Sequence, residues 1–379
     1  MIAGVVTKWF NRGQPVVGRY LRSALDELGH ETFVLARPKK ERGPMPGALA
    51  SDDVWDQPGV TEGSSYEIPL DEYETWASEN GIEVVFCDQN YQFDEIARLR
   101  EHGVRTVGRF VWEHFSPEHV EGAMAAYDVV YSFTRAEQAR YAEIGIESPY
   151  VTWGCHPELI AVGEERLAAR NPAAPGREAK EADGSDLVRC VFPGGFLGHR
   201  KPVEQVIEAF TRTSDERLRL LVKTQVKRKQ LRPVLEAAER DERIEVLVSD
   251  EATADHLRRL AANDVCVAPA RWEGLGLPLY EAMAFGMPVI TNDDPPLNEA
   301  VSDGVNGLLV GSTTDGETTR SGIPVRTPDV GDLAAAIERI CDDGLRRRLG
   351  EGQLALRDGE RAWRHTVEGI GALAQGRTP

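Results

Sequence analysis

Short apolar runs alternate with amphipathic segments along the first half of the chain. Val17, Leu21 and Leu25 recur at helical spacing, and Gly29 ends that pattern. Further helical patterns cover 93–103 and 134–145. The apolar runs predict strands at 2–7, 31–36, 82–87, 104–112, 128–133 and 148–153. Strands that alternate with helices in this way predict a parallel, doubly wound sheet.

The alternation stops at 157–186 and then restarts. Ala, Pro, Gly and charged residues dominate 157–186, which predicts a linker or a surface excursion. Strands are then predicted at 187–195, 217–223, 244–249, 264–270, 287–291 and 306–310. Helices are predicted at 202–213, 230–240, 253–262, 278–286, 330–343 and 345–357. We therefore expect two α/β domains, 1–158 and 187–360, joined by 159–186.

Two polar segments interrupt these predicted domains. The first, 37–70, is long and rich in Pro and Gly, and a loop of that length is usually functional or mobile. The second, 311–327, is predicted to be a hairpin or a lid-like insertion.

The stretch "RWEGLGLPLYEAMAFGMPVI" places two glutamates on either side of a glycine-rich turn. "EGLGL" predicts a loop, and "PLYEAMAFG" predicts a helix from Pro278 to Gly286, because proline suits the first turn of a helix. The free amides and the positive end of this helix would suit an anion such as a phosphate. Glu281, one turn into the helix, could then bind hydroxyl groups such as those of a ribose.

Charge and hydropathy exclude several classes of partner. The formal net charge of the 379 residues is −18, and residues 1–158 alone hold 14 Lys and Arg against 26 Asp and Glu. Nucleic acids and anionic membrane surfaces require basic patches, so we expect neither as a partner. No apolar run approaches 18 residues, and therefore no integral membrane segment is expected.

The cysteines and the first residues indicate the compartment. The five cysteines are scattered and show no C-x-x-C spacing, which is typical of buried free thiols in a reducing cytosol. The opening "MIAGVVTKWF" lacks the basic region and the long apolar run of a secretory signal. We therefore predict a cytoplasmic protein.

Four features of the second half resemble the nucleotide-sugar domain of family 4 glycosyltransferases. They are "GGFLGHRKPVEQVIEAF", the Glu-x7-Glu signature from Glu273 to Glu281, "NEAVSDGVNGLLV", and the Trp-containing "ERAWRHTV". The first half matches more loosely. The resemblance implies the GT-B fold, with two Rossmann-like doubly wound domains that face a cleft. It also implies an acceptor site in the first domain, a donor site in the second, and a C-terminal helix, 361–379, that completes the first.

The resemblance assigns the glutamates and the loop to the donor. Glu281 is expected to bind the ribose hydroxyls, and Glu273 to lie near the transferred sugar. Backbone amides of the loop should contact the sugar or the phosphates; these belong to Gly274, Leu275, Gly276 and Leu277. The alternatives are a solvated glutamate on the helix surface for Glu281 and a helix-capping carboxylate for Glu273.

Basic residues after the first strand of the second domain are candidates for the diphosphate. Arg200 and Lys201 would stabilise the charge that develops on the leaving group, unless they form only a solvated basic pair. The family usually has an arginine directly after the glycine, where this chain has Gly195 and Phe196. Either Arg200 replaces that arginine or one phosphate contact is absent. Lys223 is a third candidate.

The first domain offers weaker candidates. The family often carries a histidine that faces the donor sugar, and His114 lies in the matching region, although a structural histidine is the alternative. Gly13 stands in place of the family's glycine-rich loop and could close on the donor phosphate or on the acceptor. Residues 88–90 either line the acceptor side or form an ordinary polar strand end.

The function expected from these features is transfer of a sugar from a nucleotide-diphosphate sugar to an acceptor hydroxyl. The resemblance implies retention, UDP or GDP as the nucleotide, and no cofactor. The chain contains no Asp-x-Asp pair, which favours catalysis without a metal. The acidic first domain favours a small soluble acceptor. A non-catalytic nucleotide-sugar binder, a sugar phosphorylase and an epimerase remain alternatives, and the sequence leaves the sugar and the oligomeric state open.

Overall fold

The computed structural model describes residues 1–38, 54–170, 187–225 and 231–379, which fall into two units. The first unit comprises Met1–Gly154 and Trp363–Pro379, and the second comprises Cys155–Ala362. The sequence predicted domains at 1–158 and 187–360, and the structure assigns residues 155–170 to the second unit.

Six strands of the first unit form one parallel sheet. They are β1 (Ile2–Lys8), β2 (Glu31–Arg37), β3 (Val60–Glu62), β4 (Val84–Asp88), β5 (Arg105–Arg109) and β6 (Val129–Val130). Their order in the sheet is β3-β2-β1-β4-β5-β6, and all five neighbouring pairs are parallel. The strand order therefore reverses between β1 and β4, as in a doubly wound fold.

Helices cover this first sheet and bury its apolar residues. They are α1 (Gly13–Glu27), α2 (Leu70–Asn80), α3 (Phe93–Glu101), α4 (Val120–Ala126), α5 (Arg135–Glu143) and, from the end of the chain, the helix Trp363–Ala374. The last helix is anchored to α1, because the indole nitrogen of Trp363 donates to the Glu27 carboxylate at 2.9 Å. Trp153, fully buried, packs edge-to-face against the Trp363 ring.

The second unit repeats the arrangement. Its strands are β7 (Val188–Gly195), β8 (Leu218–Thr224), β9 (Ile244–Val248), β10 (Val265–Val267), β11 (Val289–Asn292) and β12 (Gly307–Val310), in the parallel order β12-β11-β10-β7-β8-β9. A short antiparallel pair follows, β13 (Ser312–Thr313) with β14 (Thr327–Pro328). The strand order of the large sheet reverses between β7 and β10.

Helices of the second unit pack against its sheet. They are α6 (Pro157–Arg170), α7 (Val203–Thr211), α8 (Leu231–Ala238), α9 (Thr253–Ala261), α10 (Leu277–Ala284), α11 (Leu297–Ala300), α12 (Val330–Arg339) and α13 (Asp343–Asp358), so that Trp363–Ala374 is α14. The core is built from aliphatic strand residues such as Val222 and Ile290, both fully buried. All five cysteines are free and buried.

Two local predictions differ from the structure. Residues 148–153 form no strand: the segment makes a single parallel bridge, between Tyr150 and Ser132, and Trp153 packs edge-to-face on Phe133. Residues 157–170, expected as linker or surface excursion, form α6. Arg166 fixes this helix by donating to the carbonyl groups of Ala261, Phe285 and Asn263 at 2.8–3.0 Å. The rest of the expected linker, 171–186, lies outside the described residues.

The two polar segments also take definite form where they are described. Within 37–70, the strand β3 pairs with β2, and residues 39–53 lie outside the described residues. Residues 311–327 form the expected hairpin, with β13 and β14 at its base and a further antiparallel bridge between Thr318 and Pro324.

Candidate donor site

The loops after β7 and β10 meet at the point where the strand order of the second sheet reverses. β7 and β10 are neighbours there, so their carboxyl ends open at the same edge, which is where doubly wound sheets bind ligands. The β7 loop carries Arg200 and Lys201, and the β10 loop carries Glu273. The backbone joins the two loops directly, because the amide of Arg271 donates to the carbonyl of Arg200 at 2.8 Å.

The Glu273 carboxylate lies between the two predicted cations. Its Oε1 is 3.3 Å from Nη1 of Arg200, and its Oε2 is 3.3 Å from Nζ of Lys201. Oε1 also accepts a hydrogen bond from the backbone amide of Gly274 at 3.1 Å. Burial alone would raise the pKa of this carboxyl, but Arg200, Lys201 and the amide outweigh burial and hold the pKa at about 2. The group is therefore ionised at neutral pH.

The predicted glycine turn leads into α10. Gly276 precedes the helix with φ +81°, a left-handed conformation that favours glycine. Helix α10 begins at Leu277 with Pro278 in its first turn, one residue before the predicted start, and ends at Ala284. Four loop residues were predicted to contact the donor through their amides. Of these, Gly274 donates its amide hydrogen to Glu273. The side chain of Leu275 is buried.

Glu281 lies in the middle of α10 and carries a perturbed carboxyl group. Burial raises its pKa to about 7, the Lys201 charge opposes that rise, and the Glu158 charge adds to it. The second glutamate of the pair is thus poised between its neutral and ionised forms near physiological pH. Lys201 acts on both glutamates of the pair, which makes it the central charge of the site.

Lys223 lies apart from this cluster, at the end of β8. Its ammonium donates to the carbonyl of Ser249 and is 3.6 Å from the Glu251 carboxylate. Burial lowers the pKa of Lys223, and the Glu251 charge partly restores it. The structure therefore places the third predicted cation in a contact between the ends of β8 and β9.

The remaining candidates belong to the first unit. The His114 side chain is 66% exposed, and its Nε2 is 3.6 Å from the Glu113 carboxylate. Gly13 is the first residue of α1, at the reversal point of the first sheet. The neighbouring Gln14 joins the ends of β1 and β4, because it accepts from Lys8 at 3.1 Å and donates to the carbonyl of Asp88 at 3.1 Å.

The Asp88 side chain is buried inside the first unit. Its Oδ1 is 3.0 Å from Nη1 of Arg109, whose Nη2 is 3.2 Å from Oε1 of Glu137, and all three side chains are at most 1% exposed. Burial raises the pKa of Glu137 to about 7, against the opposing Arg109 charge. Of residues 88–90, Gln89 has an unusual φ of +56° for a non-glycine residue.

One residue that positions the donor site was missed in the sequence. The Arg271 guanidinium donates to Gln205 on α7 at 3.1 Å and to Thr327 on β14 at 3.3 Å, while its backbone amide holds the Arg200 carbonyl. Arg271 thereby ties the 311–327 hairpin to the two loops of the site. Its position in the loop after β10, four residues past the end of the strand and two residues before Glu273, was the available signal.

These observations define the fold. Two parallel six-stranded sheets with helices are the GT-B architecture, as the resemblance implied. Sucrose-phosphate synthase from Thermosynechococcus elongatus superposes with a TM-score of 0.71 at 17% identity over 99% of both chains. HepE from Anabaena, solved in complex with UDP-glucose, superposes with a TM-score of 0.67 at 14% identity over 99% of this chain and 100% of that one.

Residues 190–353, which lie in the second unit, match the family model described as glycosyl transferases group 1. The alpha-D-kanosaminyltransferase of Streptomyces kanamyceticus is 24% identical over 64% of this chain and 58% of that protein. The D-inositol 3-phosphate glycosyltransferase of Acidothermus cellulolyticus is 38% identical over 31% of this chain. The latter match spans 24% of that relative, so both matches cover less than two thirds of the relatives' own lengths.

Among the helices that the structure describes, none has both the length and the apolar composition that are needed to cross a membrane.

Proposed function

We propose that this chain is a glycosyltransferase that moves a sugar from a nucleotide-diphosphate sugar to an acceptor hydroxyl. One observation carries the proposal: an ionised Glu273 held between Arg200 and Lys201, at the strand-order reversal of a glycosyltransferase group 1 domain. Charged groups that converge at this edge of a parallel sheet are what recognition of a sugar diphosphate requires.

The roles of the residues follow from the charge that the reaction creates. The bond between the sugar C1 and the diphosphate oxygen breaks, and negative charge builds up on the departing phosphate. Arg200 and Lys201 stabilise that charge more strongly in the transition state than in the ground state. Glu273 orients the sugar, and Glu281 binds the ribose hydroxyls. His114, from the first unit, is proposed to face the sugar.

The acceptor oxygen attacks from the face that the phosphate leaves, so the anomeric configuration is retained. No carboxylate in the proposed site is assigned as a nucleophile, and therefore the acceptor proton passes to the departing phosphate oxygen. We further propose that transfer needs no metal ion, because two cations and the amide end of α10 supply positive charge to the diphosphate.

A panel of UDP-, GDP- and dTDP-sugars tests the proposal, with and without EDTA. We expect one donor to be consumed with release of its nucleoside diphosphate, and NMR of the product to show the donor's anomeric configuration. Binding without turnover on any acceptor would favour the non-catalytic alternative. Consumption that requires inorganic phosphate would favour a phosphorylase, and a changed sugar that stays on the nucleotide would favour an epimerase.

A further inference from the structure

The Glu273 carboxylate holds the same two cations that the proposed function assigns to the donor diphosphate. Both of its oxygens are engaged, Oε1 with Arg200 and the Gly274 amide and Oε2 with Lys201, at 3.1–3.3 Å. The side chain is only 9% exposed, so solvent screens its charge weakly. A carboxylate and a phosphate placed at one cation pair compete for the same attraction.

We propose that Glu273 acts as a built-in competitor that weakens the binding of the nucleoside diphosphate product and so speeds its release. The inference rests on the proposed function, and it gives Glu273 a second role besides orienting the sugar. Lysine has three N–H donors and arginine five, so both cations can contact a phosphate while they still contact Glu273. The carboxylate therefore lowers the affinity of the site for phosphate without preventing phosphate from binding.

The competition acts unequally on substrate and product. In the donor the terminal phosphate is esterified to the sugar, whereas in the product that phosphate is free and carries additional negative charge. A fixed negative charge beside the phosphates therefore destabilises the bound product more than the bound donor. Tight product binding limits turnover in many enzymes, and a carboxylate in this position counteracts it.

Removing the negative charge of Glu273 tests the competitor role through the affinity of the nucleoside diphosphate. Glu273→Gln removes the negative charge, and its amide oxygen can still accept from the Gly274 amide. We expect calorimetry to show binding of the matching nucleoside diphosphate about tenfold tighter than in the wild type, with a smaller gain for the nucleotide sugar. The rate of transfer should fall, because the product leaves slowly and the sugar loses a contact.

Matched variants test whether charge is the cause. Glu208→Gln removes an exposed carboxylate from α7 in the same unit and should leave the affinity unchanged. Glu273→Asp keeps the charge and should bind the diphosphate much as the wild type does, while Glu273→Ala should tighten binding as Glu273→Gln does. Added KCl should narrow the difference in nucleoside diphosphate affinity between Glu273→Gln and the wild type, because salt screens the repulsion between the carboxylate and the phosphates.

The possible results separate this inference from the proposed function. If UDP, GDP and dTDP bind neither the wild type nor any Glu273 variant, the proposed function is wrong. If one of them binds the wild type, and folded Glu273→Gln and Glu273→Ala bind it equally or more weakly, only the competitor role is wrong. Tighter product binding in both variants, with a lower product-inhibition constant in steady-state transfer assays, supports it.

Discussion

The ammonium of Lys223 lies 3.6 Å from Oε2 of Glu251 and donates to the carbonyl of Ser249, so that this lysine links the ends of β8 and β9. Lys201, by contrast, faces Glu273 across the β7 and β10 loops. Two lysines with similar sequence settings, each at or after the end of a strand, thus have different partners. They are expected to respond differently to mutation.

Lys223→Met should affect stability more than turnover. The change leaves the partly buried Ser249 carbonyl without its ammonium partner and removes one cation from the Glu251 carboxylate, which keeps its contact with Arg259. This loss costs roughly 1–3 kcal/mol. Urea denaturation should show that loss in the free energy of unfolding, while kcat stays within about tenfold of the wild type. Arg232→Ala, at an exposed cation of α8 in the same unit, is the control. A hundredfold loss of kcat in a stable variant would indicate that Lys223 contacts the diphosphate after all.

Lys201→Ala should lower kcat by on the order of 10²–10³, about 3–4 kcal/mol, because a preorganised charge that stabilises the leaving group is lost. Steady-state transfer assays with the identified donor measure the effect, again with Arg232→Ala beside it. Near-normal turnover would transfer the role to Arg200.

Glu281→Ala should weaken nucleotide binding more than it slows the chemical step. At pH 8, where the Glu281 carboxyl is mostly ionised, a charged group that accepts hydrogen bonds from a ribose contributes roughly 1.5–3 kcal/mol. The dissociation constant of the nucleoside diphosphate should therefore rise by about ten- to a hundredfold. Calorimetry tests this, with Glu208→Ala as the control. An unchanged dissociation constant would leave Glu281 as a structural residue of α10.

Glu281 should also make the stability of the protein depend on pH. Its pKa is about 7 in the folded protein against an ordinary value of 4.5, so between these pH values the folded state binds more protons than the unfolded state. Its contribution to stability is therefore present below about pH 4.5 and is lost as pH rises to about 7. Glu281→Gln should remove this dependence.

Urea denaturation at pH 5 and pH 8 tests the pH dependence. The free energy of unfolding of Glu281→Gln minus that of the wild type is the quantity to compare. This difference should be on the order of 1–3 kcal/mol larger at pH 8 than at pH 5. A constant difference between the two proteins across this range would show that the Glu281 carboxyl titrates at its ordinary pH.

The acceptor is expected to be a small soluble molecule, neutral or amino-bearing, such as a polyol or an amino sugar. Residues 1–158 carry 26 acidic against 14 basic side chains, a field that repels anionic acceptors. Transfer to neutral and amino-bearing acceptors should be compared with co-sedimentation on phosphatidylglycerol vesicles, at low and high salt. Binding to the vesicles, together with transfer only to a lipid acceptor, would contradict this prediction.

The sequence by itself determined the features that depend on neighbouring residues. Alternating apolar and amphipathic segments predicted two parallel sheets, because strand and helix periodicities are local. Proline and glycine around "EGLGLP" predicted the turn before α10 to within one residue. The Glu-x7-Glu spacing is also a local pattern, and it therefore placed one glutamate in the loop and one on the helix.

Only the tertiary structure decided which charges meet. Lys201 and Glu273 are 72 residues apart, and they approach because β7 and β10 are neighbours at the reversal of strand order. The same sheet directs Lys223 to Ser249 and Glu251. Arg166 holds α6 to carbonyl groups at the ends of α9 and α10, although residues 157–170 lack a clear apolar period. These contacts depend on strand order and on buried hydrogen bonds between distant segments, which local sequence patterns do not encode.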